Sequence, residues 1–325
     1  MGMPPYNSPM FIFRFITNGL APLTLIGAIL AYFIPEMFLI FGSVFKWMFA
    51  ATMFALGVVL EPDDLTDTLQ HPKRIGLGVL TQYLLMPTLA FIIISLVDLP
   101  PALAIGFLIV GAAPGAMASN VIVYLAGGAM AFSIAMTTVA TFLSPILTPS
   151  LVKILGGQIM HIDFWKMMQT ILLTVVLPLS LGMVLRRQLK QGLETAKEIA
   201  PAVAALAIII ICSYAVAANQ ARISQVGAEI FLLVVLLNAL GYLGGWLLGK
   251  LYGFDHKHRL TLAIEIGMQN AGMGVVLALA HFKDTPEAAL PGALFAVWCI
   301  LTAAGATAYF RYRDSKNQQP PGLAS

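Results

Sequence analysis

Apolar runs of about twenty residues recur along almost the whole of this 325-residue chain. Residues 75–97, 101–126 and 231–251 are examples, each close to the length a helix needs to cross a bilayer. Composition agrees: 59% of the residues are hydrophobic and 10% charged, with a mean hydropathy of +0.88. A soluble domain carries about 25% charged residues, so a single core under a charged skin is excluded. The chain reads as an all-α integral membrane protein.

Gly, Pro and charge divide the apolar sequence into ten transmembrane helices, near residues 14–34, 46–60, 75–97, 101–126, 129–155, 165–186, 200–218, 228–252, 259–282 and 290–311. Of the 18 basic residues, Lys46, Lys153, Lys166, Arg222 and Lys283 fall on one side of such a bundle. The others, Arg14, Lys190, Arg311, Arg313 and Lys316 among them, share the side of both termini, which the positive-inside bias makes cytoplasmic. The opening MGMPPYNSPMFIF lacks the basic n-region and small-residue cleavage site of a secretory signal. Cys212 and Cys299 lie inside apolar runs and read as small buried hydrophobes. With no paired Asp, Ser/His, Ser/Lys or HExxH pattern, an intramembrane enzyme is not expected. Residues 61–74 read as a solvated cytoplasmic connection and 186–200 as a short interfacial helix on anionic lipid, not a nucleic-acid patch. Residues 313–325 read as a disordered tail.

The chain partly repeats itself. LAPLTLIGAIL (20–30) resembles VLPLSLGMVL (176–185), and Pro22 precedes Pro178 by 156 positions. Gln82 and Asn238 share that offset, and Asn120 and Asn270 are 150 apart. This suggests two five-helix halves, 1–158 and 159–312. Five is odd, so the second half enters the membrane inverted, an architecture of transporters.

Two of the expected helices are interrupted. PALAIGFLIVGAAPGAMASNVIVYLAGG (101–128) has Pro114 and Gly115 at its middle, and AIEIGMQNAGMG (263–274) carries Gly267, Gly272 and Gly274. Paired interruptions in matching places point to a binding site, where protein, water or ligand must satisfy the unwound backbone. Glu265 is the lone acid deep in any span. Burying it costs roughly 2.5–3.5 kcal/mol on insertion scales, so it marks a pathway or a counter-ion. Gln82, Ser119, Asn120, Ser133, Thr137 and Gln269 offer neutral oxygens at similar depth. Ser133 and Thr137 share a helix face, as do Glu265 and Gln269 if the turn between them persists. One carboxylate among neutral oxygens suits Na⁺. A proton carried by Glu265, or a protonated structural Glu, are the alternatives.

Three runs resemble the bile acid:sodium symporter family in its bacterial ten-helix form: MFALGVVLEPDDL (53–65), GAAPGAMASNVIVYLAGGAMAFSIAMTT (111–138) and EIGMQNAGMG (265–274). The resemblance implies two crossing discontinuous helices, a core domain (helices 3–5 and 8–10) and a panel domain (helices 1, 2, 6 and 7). It implies two Na⁺ sites. The first uses Ser119, Asn120, Ser133, Thr137 and Glu265; the second uses Gln82, Glu265, Gln269 and the backbone oxygens of Ile266 and Met268. It implies sodium-coupled symport of a small organic anion by alternating access, a proton-coupled transporter using Glu265 being the rival. Family members carry bile acids, pantoate and other small carboxylates. Asn270 is the expected hydrogen-bonding group for substrate, with Ala116, Met117, Ala271 and Cys299 around it. Ala116 and Met117 stand where the family often has Gly-Thr, making the pocket narrower and less polar. The N-termini of the half-helices point positive dipole ends at the anion. A monomer in the bacterial inner membrane, with lipid as its surroundings, completes the expectation.

Overall fold

The computed structural model describes residues 13, 15, 16, 19–60, 71–189, 193–299, 301, 302 and 305. Among them the long elements are all helices: α1 (Leu20–Phe33), α2 (Phe45–Val59), α3 (Pro72–Leu96), α4 (Pro101–Gly111), α5 (Ser119–Leu125) and α6 (Met130–Gly156). There follow α7 (Phe164–Gln188), α8 (Leu193–Ala218), α9 (Gln220–Leu251), α10 (His256–Gly267), α11 (Ala271–His281) and α12, helical through 290–299.

Local chemistry sets many of the ends. Proline in the first turn, pre-set for helical φ, opens α3 and α4. Asp163 and Asp255 cap α7 and α10, accepting the backbone N–H of Lys166 and of His258, each at 3.1 Å. Those bonds hold both carboxyls below the usual carboxylate range. Beyond α5 and α9 stand Gly127 and Gly253, with φ of 71° and 72°. The next residues return their N–H groups to the helix, Gly128 to Val123 and Phe254 to Gly249. In α7 a π-turn at Leu172–Val176 precedes Pro178, which has no N–H to give the helical ladder.

Among the described residues five helices are long and apolar enough to cross a bilayer: Pro72–Leu96, Met130–Gly156, Phe164–Gln188, Leu193–Ala218 and Gly227–Leu251. Phe45–Val59, Pro101–Gly111 and Ala271–His281 are apolar but shorter, and Pro22–Phe33 meets Glu36–Ser43 at a 109° bend. The outward faces are apolar too. Leu173, Leu177, Leu181 and Val184 of α7 are exposed, as are Leu232, Leu236, Leu243, Leu247 and Leu251 of α9. Such continuous helical stripes need lipid as their solvent. The protein is a multi-pass helical membrane protein.

The helices pack in two groups. One joins α2 to α7 and α8, and α8 to α1; the other links α3, α4, α5, α6, α9 and α10. The groups meet through α11, through the short helix Pro286–Ala289 against α8, and where α7 begins beside α6. Glycine allows the closest approaches. A Cβ on Gly57 of α2 would lie 2.2 Å from the Leu179 carbonyl oxygen, and one on Gly182 of α7 2.2 Å from that of Phe54. On α9, Gly241, Gly245 and Gly249 form a flat face against Gly267, Ala263 and Arg259 of α10.

Two boundaries differ from expectation. Residues 193–200 belong to the continuous helix α8 and not to a separate interfacial helix; Glu194 in its first turn pairs with Lys197 at 3.4 Å. The helix α9 starts at Gln220, not 228, because its polar first turns continue the helix beyond the apolar stretch. The 313–325 tail, the 61–70 part of the cytoplasmic connection, the end of the tenth expected span and the basic residues Arg14, Lys190, Arg311, Arg313 and Lys316 lie outside the described residues.

Candidate functional site

Two helices stop inside the apolar interior. Helix α4 ends at Gly111 and helix resumes at Ser119; α10 ends at Gly267 and α11 starts at Ala271. The unwound segments pair antiparallel, Gly115 opposite Gln269. The Ala116 N–H donates to the Met268 carbonyl and the Asn270 N–H to the Pro114 carbonyl, both at 2.8 Å. Each break thus satisfies groups that the other has freed. A Cβ at 115 would sit 2.9 Å from Glu265 Oε2, so any larger residue there would displace that carboxylate.

Glu265, near the end of α10, is fully buried. Its Oε1 accepts from Ser119 Oγ at 2.5 Å and from Ser133 Oγ, and its Oε2 accepts from Thr137 Oγ1 at 2.6 Å. Ser133 Oγ is also 2.7 Å from Asn120 Oδ1, and Thr137 Oγ1 is 2.9 Å from the Ser133 carbonyl. Five oxygen–oxygen contacts therefore share three hydroxyl protons, and two have none of their own. Among the described residues no Lys, Arg or His forms an ion pair with Glu265.

A second polar group involves α3 and the two breaks. Gln82 Nε2 donates to the Ala113 carbonyl at 3.0 Å and to Gln269 Oε1 at 2.7 Å, while Gln269 Nε2 donates to the Ile266 carbonyl at 2.7 Å. Gln82 Oε1 is buried without a donor among the described residues. Asn238 of α9 gives its Nδ2 to the Gly267 carbonyl at 2.8 Å.

The structure thus gathers Ser119, Asn120, Ser133, Thr137 and Glu265 in one cluster, and Gln82, Gln269 and the Ile266 carbonyl in another. It does not place Glu265 and Gln269 one helical turn apart. The helix ends at Gly267, so Glu265 bonds to α5 and α6 while Gln269 turns to α3. The Met268 carbonyl already accepts the Ala116 N–H.

Asn270 caps α11, its Oδ1 accepting the Met273 N–H at 3.1 Å. Ala116 and Met117 are half-buried, and Ala271 and Cys299 are buried. Cys299 Sγ lies 3.6 Å from the Ala296 carbonyl of its own helix. One neighbour of the crossing escaped sequence reasoning. Phe49 of α2 lies over Gly272, its Cε2 3.2 Å from where a Cβ would stand, and a phenylalanine in an apolar helix gives no signal of its own.

Residues 46–228 match the model of the Sodium Bile acid symporter family. The chain is 34% identical over 294 residues to a protein of Bacillus subtilis (strain 168) described as an uncharacterized sodium-dependent transporter, YocS, covering 90% of this chain and 91% of that one. It is 35% identical over 263 residues to the probable sodium/metabolite cotransporter BASS1, chloroplastic, of Arabidopsis thaliana, covering 78% of this chain and 65% of the other. With the probable sodium/metabolite cotransporter BASS2, chloroplastic, of Oryza sativa subsp. japonica, identity is 30% over 261 residues, covering 80% and 62%. The chain spans just under two thirds of these plant relatives.

Proposed function

The chain belongs to the sodium bile acid symporter family, a family of sodium-dependent transporters and not of enzymes, and on that footing we propose that it is a sodium-coupled secondary active symporter of small organic anions working by alternating access. The observation that carries this reading is the oxygen cluster around Glu265. A buried carboxylate, an amide oxygen, three hydroxyls and a backbone carbonyl converge with two proton-less contacts among them. Na⁺ takes such hard oxygen donors. Bound there, it neutralises Glu265 and draws α5, α6 and α10 together.

Ser119, Asn120, Ser133, Thr137 and Glu265 form the first sodium site in this reading. Gln82, Gln269 and the carbonyls of Ile266 and Met268 form a second, with Glu265 at its border; the donor-free Gln82 Oε1 supports it. The anion meets the Asn270 amide at the crossing, beside Ala116, Met117 and Ala271. Cys299 is kept as a more distant part of that pocket.

Ten spans follow if α4 with α5, and α10 with α11, each make one broken crossing. The matching hydrogen bonds of Gln82 and Asn238 to the two breaks support inverted repeats, 1–158 and 159–312. The group α1, α2, α7 and α8 serves as the panel, and α3–α6 with α9–α12 as the core. The bacterial relative supports a plasma-membrane location, and the uneven distribution of basic residues supports cytoplasmic termini.

A thermal-shift screen of small carboxylates with and without Na⁺ identifies a ligand, and its uptake is then measured in proteoliposomes. An inward Na⁺ gradient is expected to drive accumulation; equal uptake in K⁺ or choline buffer overturns sodium coupling. The lack of a basic partner for Glu265 among the described residues favours one second reading, in which the carboxylate carries a proton. In that case a pH gradient replaces the Na⁺ gradient.

A further inference from the structure

The two helix groups touch unequally at the two ends of the crossing. In the orientation proposed above, with cytoplasmic termini, α11 runs from the crossing toward the outer end and α5 toward the inner end; α11 packs against α2, α7 and α8. Helix α5 packs against α6 and α10 of its own group. On its free face Val121 and Tyr124 are 58% and 66% exposed. Helices of both groups therefore flank the outer end of the crossing, while α5 at the inner end is flanked by its own group.

The α2 side chain that meets the start of α11 is an aromatic ring. Helix α2 buries Phe45, Phe49 and Met53, four residues apart on one face. Phe49 is 1% exposed and rests on Gly272, in the first turn of α11. A Cβ on that glycine would lie 3.2 Å from the ring and 3.7 Å from Asn270 Oδ1, so ring and Asn270 flank the same bare stretch of backbone. The ring is held there by dispersion, so it can leave without breaking a polar bond. Farther out, Thr170 Oγ1 of α7 and His281 Nε2 of α11 are 3.0 Å apart and join the same two groups.

We propose that Phe49 is the outer gate of the transport path: seated on Gly272, it seals the crossing from outside and must leave that seat before substrate enters. The proposal deepens the alternating-access reading above and rests on it.

Thiol labelling tests it. Met117→Cys, in a background of Cys212→Ala and Cys299→Ala, places a reporter at the half-buried side of the crossing. Vesicles of known orientation receive a membrane-impermeant maleimide from either side, in choline buffer. With Phe49 present, labelling is expected from inside and not from outside. Phe49→Ala, or the milder Phe49→Leu, is expected to raise outside labelling at least tenfold while inside labelling persists. Unchanged outside labelling in both variants overturns the proposal. So does loss of inside labelling in both, which makes the ring core packing only, or a reporter equally reactive from both sides with Phe49 in place. Labelling needs neither Na⁺ nor substrate. Failure of Na⁺-driven uptake by the unmodified protein therefore sinks the symport reading alone, and a negative labelling result beside intact uptake sinks the gate alone.

Discussion

Gln82 and Asn238, 156 residues apart in sequence, perform the same task at the two helix breaks: one donates to the Ala113 carbonyl at 3.0 Å, the other to the Gly267 carbonyl at 2.8 Å. Each fills a backbone acceptor that an unbroken helix would have filled itself. Asn238→Leu removes the donor and leaves the Gly267 carbonyl buried. The expected cost is about 1–3 kcal/mol, read as a lower unfolding temperature in detergent. Unaltered stability would contradict the assignment.

The hydroxyls of α6 divide by direction, and the division is testable. Thr137 Oγ1 reaches Glu265, whereas Thr141 Oγ1 bonds the Thr137 carbonyl of its own helix at 2.8 Å. Thr137→Val is expected to weaken Na⁺ binding about tenfold or more, about 1.4 kcal/mol. Thr141→Val, with the same change of shape, leaves it unaltered. Equal effects in a Na⁺ titration would refute the partition.

Close helix contact makes a second pair of opposite outcomes. Gly57→Ala drives a methyl into the Leu179 carbonyl and is expected to destabilise by about 1–3 kcal/mol. Gly76→Ala in α3 meets nothing within 4 Å and is expected to stabilise by about 0.5–1 kcal/mol. Thermal unfolding of the two variants side by side checks both signs.

Asp255 links stability to pH. The His258 backbone N–H, then the His258 side chain, hold its folded-state pKa below that of the unfolded chain. Its contribution is therefore complete above about pH 3.9 and fades as pH falls through the lower folded value. Asp255→Asn keeps a cap without the titration. As pH falls below about 3.9, the melting temperature is expected to fall less steeply for the variant than for the parent protein.

Much of this site is legible in the sequence. Glu265 stands out because acids are costly at mid-membrane, and the spacing of Ser133 and Thr137 puts both on one face whatever the tertiary fold. The breaks at Pro114-Gly115 and Gly267 follow from backbone chemistry. Other features depend on contacts between distant segments. The end of α10 at Gly267 separates Glu265 from Gln269, and the segment that pairs with this end, Pro114 to Ala116, is distant in sequence. Polarity marks 193–200 as interfacial, yet the same residues form good helix and extend α8. Phe49 is one of 19 phenylalanines and acquires meaning only from the bare glycine under its ring.

The decisive experiment is calorimetric titration of Na⁺ into detergent-solubilised protein at constant ionic strength, with choline as the balancing cation. The parent protein should bind Na⁺ saturably and choline not at all, while Glu265→Gln, nearly identical in shape, should show no Na⁺ binding. If the Gln variant binds Na⁺ as the parent does, or choline serves equally well, the buried carboxylate is not the cation's seat.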